Sequence, residues 1–254
     1  FGMKYLVATV LLGTTGLAMG APAATQNASA SDMARAQMVA QQPTRMQQVI
    51  NRWEYLNEND DLSFDAYSGF LLAYPDFPRA SRLQIRAENA LDNTPASSEQ
   101  LVAYFDAHPP LTNTARARYA LALNTLRRPE AVETARAAWR GGPMKETTEA
   151  YLLGLFASQF TQSDNDARME ALLWENDTDG AVRHMLMTSP DKRDVFSKRL
   201  ALLQDKLPQD EGLAIPRAAL DNPGTVYNLV RYYRDNRQMN RAISILTSRP
   251  QATS

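Results

Sequence analysis

The chain has 254 residues, a formal net charge of −1 and no cysteine. This length is enough for one large domain or two small ones without disulfide or metal staples. The lack of cysteine excludes disulfides, thiolate zinc sites, iron–sulfur clusters and a thiol nucleophile. With two histidines and 11 scattered glycines, a histidine metal site and a glycine-rich phosphate loop are not expected. The balanced charge argues against a dedicated nucleic-acid binder.

The N-terminal segment resembles a secretory signal peptide. Lys4 precedes an apolar stretch of signal-core length, and Ala21-Pro22-Ala23 has the A-x-A pattern of a cleavage site. The apolar stretch is shorter than the roughly 20 residues that a membrane-spanning helix needs. We therefore predict a signal peptide with leading extra residues over 1–23, the alternative being a short uncleaved anchor. Since no cysteine follows the stretch, the prediction is an exported protein that is not a lipoprotein and has no stable membrane anchor after signal cleavage.

Residues 24–45 are rich in Ala, Gln, Ser, Thr and Met and contain almost no large apolar side chains. Such a segment buries too little surface to offset the entropy lost on ordering. We predict a flexible linker here, with transient helix as the alternative. The ordered part of the chain should begin near Met46 or Trp53.

From residue 46 onward, apolar residues recur at helical spacing, and short segments with Pro, Asn, Asp or Ser separate the periodic stretches. No segment alternates in the manner of a strand, so the predicted fold class is all-α. Ser97 with Gln100 offers a capping box. The predicted helices cover 46–57, 64–74, 79–91, 97–107, 112–126, 129–140, 145–158, 164–175, 178–187, 191–204, 222–235 and 238–248.

Three further signals mark helix starts. Ser163 with Asp166 offers a second capping box. Pro129 and Pro190 suit the first position of a helix, where a missing N–H carries no penalty.

A faint internal repeat suggests how the helices are arranged. Ala73-Tyr74-Pro75 before Arg82 resembles Ala107-His108-Pro109 before Arg116, at an interval of 34 residues. This is the period of tetratricopeptide-like solenoids, although the full consensus is absent and later segments lose the period. We predict that 46–254 forms an irregular α-solenoid, a superhelix of stacked helix pairs.

Few residues could carry chemistry, and each has a simpler structural role. The segment from Glu175 to Gly180 begins like a calcium loop, but Leu186 stands where the bidentate Glu belongs, so a helix-start turn is predicted. Asp164 and Asp166 suit helix capping better than acid–base catalysis. His108 suits the end of a helix. The sequence predicts no catalytic residue, no cofactor and no metal site.

Arginines are concentrated in 112–140, which holds six of them and two acidic residues. The planar guanidinium suits carboxylates and stacking. One hypothesis is a solenoid face that binds an anionic polymer or an acidic partner domain. The alternative is a solvated surface with scattered ion pairs. The predicted contacts to a glycan or a partner domain are Arg116, Arg118, Arg136 and Arg140.

Three segments resemble the helical region of the soluble lytic transglycosylases of Gram-negative bacteria. They are HPPLTNTARARYALAL at 108–123, AWRGG at 138–142, and DNDARM followed by LLW within 164–174. The resemblance extends from about Tyr74 to Leu203. It implies a periplasmic protein whose N-terminal helices form a curved or ring-shaped superhelix. In that family a separate C-terminal lysozyme-like domain cleaves the β-1,4 bond between N-acetylmuramic acid and N-acetylglucosamine, using one Glu as acid and then base, and leaves a 1,6-anhydro product.

The catalytic signature of that family is absent from this chain. No Glu is followed by Ser, and no Gly-Leu-Met-Gln motif is present. We therefore expect the non-catalytic superhelical portion, truncated before the catalytic domain, with peptidoglycan strands and that missing domain as partners. The alternative is a periplasmic tetratricopeptide-like scaffold that binds proteins and has no enzymatic activity. The gene beyond Ser254 distinguishes them, since a Glu-Ser-bearing domain favours the enzyme and a stop codon favours the scaffold.

Overall fold

A computed structural model describes residues 29–206 and 220–247. All regular structure in these two ranges is helical, with no strand, which confirms the all-α prediction. The predicted signal peptide over 1–23 and the start of the predicted linker lie outside them. The chain divides into two compact units, Phe1–Arg52 and Trp53–Ser254. None of the described helices is long and apolar enough to cross a membrane.

Helix α1 spans Ala30–Glu58 and begins well before the predicted start at residue 46. The stretch for which we predict a linker is thus helical from Ala30 onward. The described side chains between Ala30 and Gln48 are all exposed. This part of the helix rests on the high helix propensity of its Ala, Gln, Met and Arg residues rather than on packing of an apolar face.

Helices of seven to 13 residues make up the rest of the described chain. Most of their ends lie within two residues of the predictions, and a short 3₁₀ turn follows each of α7 and α9. They are α2 Phe64–Ala73, α3 Ala80–Ala90, α4 Ser98–Ala107, α5 Asn113–Thr125, α6 Ala131–Arg140, α7 Glu146–Phe156, α8 Gln162–Trp174, α9 Thr178–His184, α10 Arg193–Leu203, α11 Pro223–Asp235 and α12 Met239–Thr247.

The predicted capping box at the start of α4 is confirmed. Ser97 Oγ accepts a hydrogen bond from Gln100 N at 3.1 Å, and Gln100 Oε1 accepts one from Ser97 N at 2.9 Å. The predicted calcium-like segment is a helix start, as expected, because Asp177 Oδ1 accepts from Gly180 N at 3.0 Å.

Three predicted helix-start signals are wrong in position. The capping box of α8 is formed by Thr161 and Asp164, not by Ser163 and Asp166, because the helix begins two residues earlier than predicted. Pro129 and Pro190 lie in the turns before α6 and α10, not at a first helical position. Pro does occupy that position in α11, which starts at Pro223.

The 34-residue repeat is confirmed for one pair of helices. Helices α2 and α4 have ten residues each, and their N-caps, Ser63 and Ser97, are 34 residues apart. The two caps share the same backbone conformation, with φ/ψ of −70°/158° and −71°/159°. The next helix of the series, α6, begins 33 residues after α4 behind a Glu130 cap without a side-chain hydrogen bond, so the repeat degrades there.

Within the second unit, the main contacts of each helix are with helices one or two places away along the chain. Helix α2 packs on α3 and α4, α5 on α6 and α7, α8 on α9 and α10, and α11 on α10 and α12. Such near-neighbour packing defines a solenoid-like stack of helices. The predicted α-solenoid class is therefore confirmed.

The core of the stack is divided into successive clusters. One is built around Trp139 by α5, α6 and α7, and another is built around Met169 by α8, α9 and α10. Trp139 is fully buried and stacks on Phe160 with ring centroids 4.9 Å apart. Each cluster fixes the position of the helices that carry the polar residues described next.

Candidate functional site

The four predicted arginines lie on two helices, α5 and α6. On α5, Arg118 donates to Leu91 O at 2.8 Å and pairs with Asp92 at 3.2 Å, which joins it to the end of α3. Arg116, on the same helix, donates to Asn113 Oδ1 at 3.1 Å. The contacts of Arg118 link α5 to α3, whereas the contact of Arg116 lies within α5.

The two arginines of α6 converge on one buried carboxylate at the start of α8. Arg136 Nε lies 3.1 Å from Asp164 Oδ2, and Arg140 Nη1 lies 2.8 Å from Oδ1. The side chain of Asp164 is fully buried. Burial by itself raises the pKa of Asp164, but hydrogen bonds from Thr161, Arg140 and Arg136 outweigh it and lower the pKa to about 2. At neutral pH this carboxylate is therefore ionised and holds α6 against α8.

The three segments that carry the family resemblance meet around Arg168, which is fully buried. Arg168 Nη1 donates to Trp139 O at 3.2 Å and to Gly142 O at 2.5 Å. Its guanidinium lies 4.1 Å from the centroid of the Trp139 ring, a cation–π contact. Burial lowers the pKa of Arg168 to about 10, in opposition to the charge of Glu149 at 3.4 Å. We call this arrangement the Arg168 joint.

The first segment enters the Arg168 joint through Asn113. Its Nδ2 donates to Ala138 O at 2.8 Å and lies within hydrogen-bond distance of Gly142 O and Pro143 O. Gly141 leaves room for this contact, because a Cβ there would stand 2.1 Å from Asn113 Oδ1. Gly142 has φ of +92°, and a Cβ there would stand 2.7 Å from Ala171 Cβ. The two glycines of AWRGG are thus required by the close approach of Asn113 and Ala171.

Both histidines serve the structure. His108 caps the end of α4, as predicted, and its ring nitrogens lie 3.1 Å from Leu71 O and 3.0 Å from Gln84 Nε2. His184 Nε2 lies 2.7 Å from Asn165 O, and burial lowers the pKa of the His184 imidazole. In the ranges that the structure describes, no group of His, Cys, Asp and Glu has an arrangement suited to a metal ion.

A cleft of about 380 Å³ opens beside Arg140, between α8 and α10. Most of its lining residues are polar, with side chains of both charges, and the apolar part consists of Ala167, Val195 and Phe196. No sequence motif points to this cleft, since its residues are spread from Arg140 to Asn222. The one signal in the sequence is helical spacing, which places four lining residues on one face of α8: Ser163, Asp166, Ala167 and Glu170. The polar residues that line it include Arg140, Ser163, Asp166, Glu170, Asp191, Lys192 and Asn222.

The cleft residues are held by contacts behind them. Asp166 accepts hydrogen bonds from Ser189 N at 2.8 Å and from Ser189 Oγ at 2.5 Å. Glu170 accepts from Arg199 Nη1 at 2.5 Å, and Asn222 caps α11. These contacts orient the side chains of Asp166, Glu170 and Asn222 at the cleft.

Comparisons with family models, with curated proteins and with solved structures found no match to this chain.

Proposed function

We propose that this chain is the non-catalytic helical portion of a periplasmic peptidoglycan lytic transglycosylase. The whole protein would cleave the β-1,4 bond between N-acetylmuramic acid and N-acetylglucosamine with formation of a 1,6-anhydro product, in cell-wall turnover. The helical stack would position glycan strands for a C-terminal catalytic domain.

The Arg168 joint carries this proposal. The three segments that resemble the family are 108–123, 138–142 and 164–174. Arg168 of the third contacts Trp139 and Gly142 of the second, and Asn113 of the first contacts Ala138 and Gly142 of the second. A buried arginine on two carbonyls and an indole tolerates few substitutions, because each loss leaves an unpaired polar group. Because the segments that resemble the family form this contact, the Arg168 joint supports a helical architecture in common with that family.

Peptidoglycan binding by the purified protein tests the proposal. Sacculi stripped of attached proteins are incubated with the protein and sedimented, and the soluble fraction is analysed for muropeptides. We expect co-sedimentation without release of 1,6-anhydro products. Release of such products would overturn the non-catalytic assignment, and absence of co-sedimentation at low salt would overturn the glycan-binding role.

A second function, a tetratricopeptide-like scaffold that binds proteins, is favoured by one observation on α12. Met239, Ile243 and Leu246 form a stripe at helical spacing, and each is about half exposed. Exposed apolar stripes of this kind are typical of protein contacts. This function predicts capture of a periplasmic protein and no binding to stripped sacculi, so the same sedimentation experiment separates the two.

A further inference from the structure

An aromatic pair lies exposed at the surface where α8 ends. Trp174, the last residue of α8, and Tyr227 of α11 have ring centroids 4.9 Å apart and planes tilted by 35°. Trp174 is 48% exposed and Tyr227 is 46% exposed. Large aromatic rings bury much area when they are covered, so two adjacent exposed rings offer an apolar contact surface to a ligand.

The pair continues the polar cleft. Along α8, Ser163, Ala167, Glu170 and Trp174 follow one another at intervals of four, three and four residues, so they form one stripe on the helix surface. The first three of them line the cleft. On the opposite wall, Asn222 lines the cleft and caps the helix that carries Tyr227. Trp174 therefore lies one helical turn beyond Glu170, on the face of α8 that lines the cleft.

Arg199 holds this surface from behind. It is fully buried, donates to Glu170 at 2.5 Å and to Asn228 Oδ1 at 2.9 Å, and its guanidinium lies 5.8 Å from the Trp174 ring centroid. Gly224 makes room for it, since a Cβ there would stand 2.4 Å from Arg199 Cζ. Arg199 thus positions Glu170 and lies near the Trp174 ring before any ligand arrives, which lowers the entropic cost of binding to these two residues.

The chemistry of this surface matches a sugar better than a peptide helix or an anionic polymer. A pyranose ring has C–H groups with partial positive charge, which stack on the negative face of an aromatic ring. Its hydroxyl and N-acetyl groups need both donors and acceptors at the rim, as the mixed polar lining of the cleft provides. The volume of about 380 Å³ lies within the roughly 300–1,000 Å³ of small-molecule sites.

We infer that the Trp174–Tyr227 pair and the adjoining cleft form a binding subsite for β-1,4-linked N-acetylated amino sugars. The inference rests on the proposed function and states where on the helical stack the glycan would bind. One sugar ring stacks on the aromatic pair, and the next occupies the polar cleft. The site lies apart from Arg116 and Arg118, so it does not depend on the basic stretch of α5.

Nuclear magnetic resonance with a soluble saccharide tests the inference. The chain has three tryptophans, and the indole N–H groups of Trp53 and Trp139 donate to Pro78 O and Asn165 Oδ1. Titration of the ¹⁵N-labelled protein with the pentamer of β-1,4-linked N-acetylglucosamine should shift the Trp174 indole resonance and leave that of Trp139 in place. Absence of a Trp174 shift at millimolar saccharide overturns the inference.

Variants with measured affinities test the inference without relying on the Trp174 indole resonance alone. We expect Trp174→Ala to weaken pentamer binding about tenfold, the equivalent of one lost aromatic stack. Trp174→Phe should retain most of the affinity. Tyr151→Ala, which removes an exposed aromatic residue of α7 outside the cleft, should change nothing. Equal affinity of Trp174→Ala and the wild type contradicts the inference.

The two proposals fail in different ways. If the wild type binds sacculi and the Trp174→Ala protein binds them equally well, the glycan site lies elsewhere and only the present inference is wrong. If the wild type binds neither sacculi nor pentamer, the glycan-binding function itself is wrong. A Tyr227→Ala variant disrupts the same aromatic pair by a change on α11 instead of α8.

Discussion

Asp164 shows how one residue combines several roles. It closes the capping box of α8 with Thr161 and accepts hydrogen bonds from two arginines of α6. Helix capping is predictable from the acidic first turn alone, while the arginine contacts are not. All four arginines that we predict to contact a glycan or partner domain therefore have partners within the chain, and two of them, Arg136 and Arg140, share this carboxylate.

The lowered pKa of Asp164 predicts a stability change at acid pH. Because the folded-state pKa is about 2 and the ordinary value is 3.8, the ionised carboxylate stabilises the fold above the ordinary value, and that contribution is lost as the pH falls toward 2. We expect the free energy of unfolding to fall less between pH 5 and pH 2 in Asp164→Asn than in the wild type. Urea unfolding at stepped pH measures this.

Glu133 provides the control for that experiment. It pairs with the same Arg136 at 3.1 Å, but its side chain is 78% exposed, and exposed pairs contribute little. Glu133→Gln should reproduce the pH dependence of the wild type. If Asp164→Asn and the wild type lose stability in parallel, Asp164 does not hold α6 against α8 in the manner described.

At the scale of helices, the turn between α6 and α7 depends on a glycine with positive φ. Gly142→Ala would place a methyl group against Ala171 at φ of +92°. We expect it to lower the free energy of unfolding by about 1–3 kcal/mol, since a strained residue in that region costs this much. Urea or thermal unfolding measures the change.

Gly69 is the matched glycine for this comparison. It lies inside α2, where an added Cβ meets nothing within 4 Å. Gly69→Ala should leave stability unchanged or raise it by up to about 1 kcal/mol, because Ala is the better helix former. A Gly142→Ala protein as stable as Gly69→Ala would show that the turn can relax without cost.

At the scale of the whole molecule, the exposed part of α1 and the packed helices differ in burial. The described side chains from Ala30 to Gln48 contribute nothing to a core, while each later helix buries at least one. Segments with few buried contacts open most readily. We expect trypsin to cleave first after Arg35 or Arg45, leaving a resistant fragment, and mass spectrometry of a short digestion would identify these cuts. First cleavage within α5 or α6 would contradict the expectation that the exposed part of α1 opens more readily than the packed helices.

The amino-acid sequence by itself determined the helical fold class, most helix ends and the 34-residue relation of α2 to α4. These features depend on local spacing, on capping residues such as Ser97 and on apolar periodicity. Each of these signals involves residues that are close together in the sequence. The tertiary structure alone decided which arginines are paired, why Gly141 and Gly142 are needed, and that Trp174 meets Tyr227. Those outcomes depend on side chains more than 20 residues apart in the chain, whose contact is set by how whole helices pack against one another. No local pattern encodes that packing, so the candidate site became visible only once the helices were stacked.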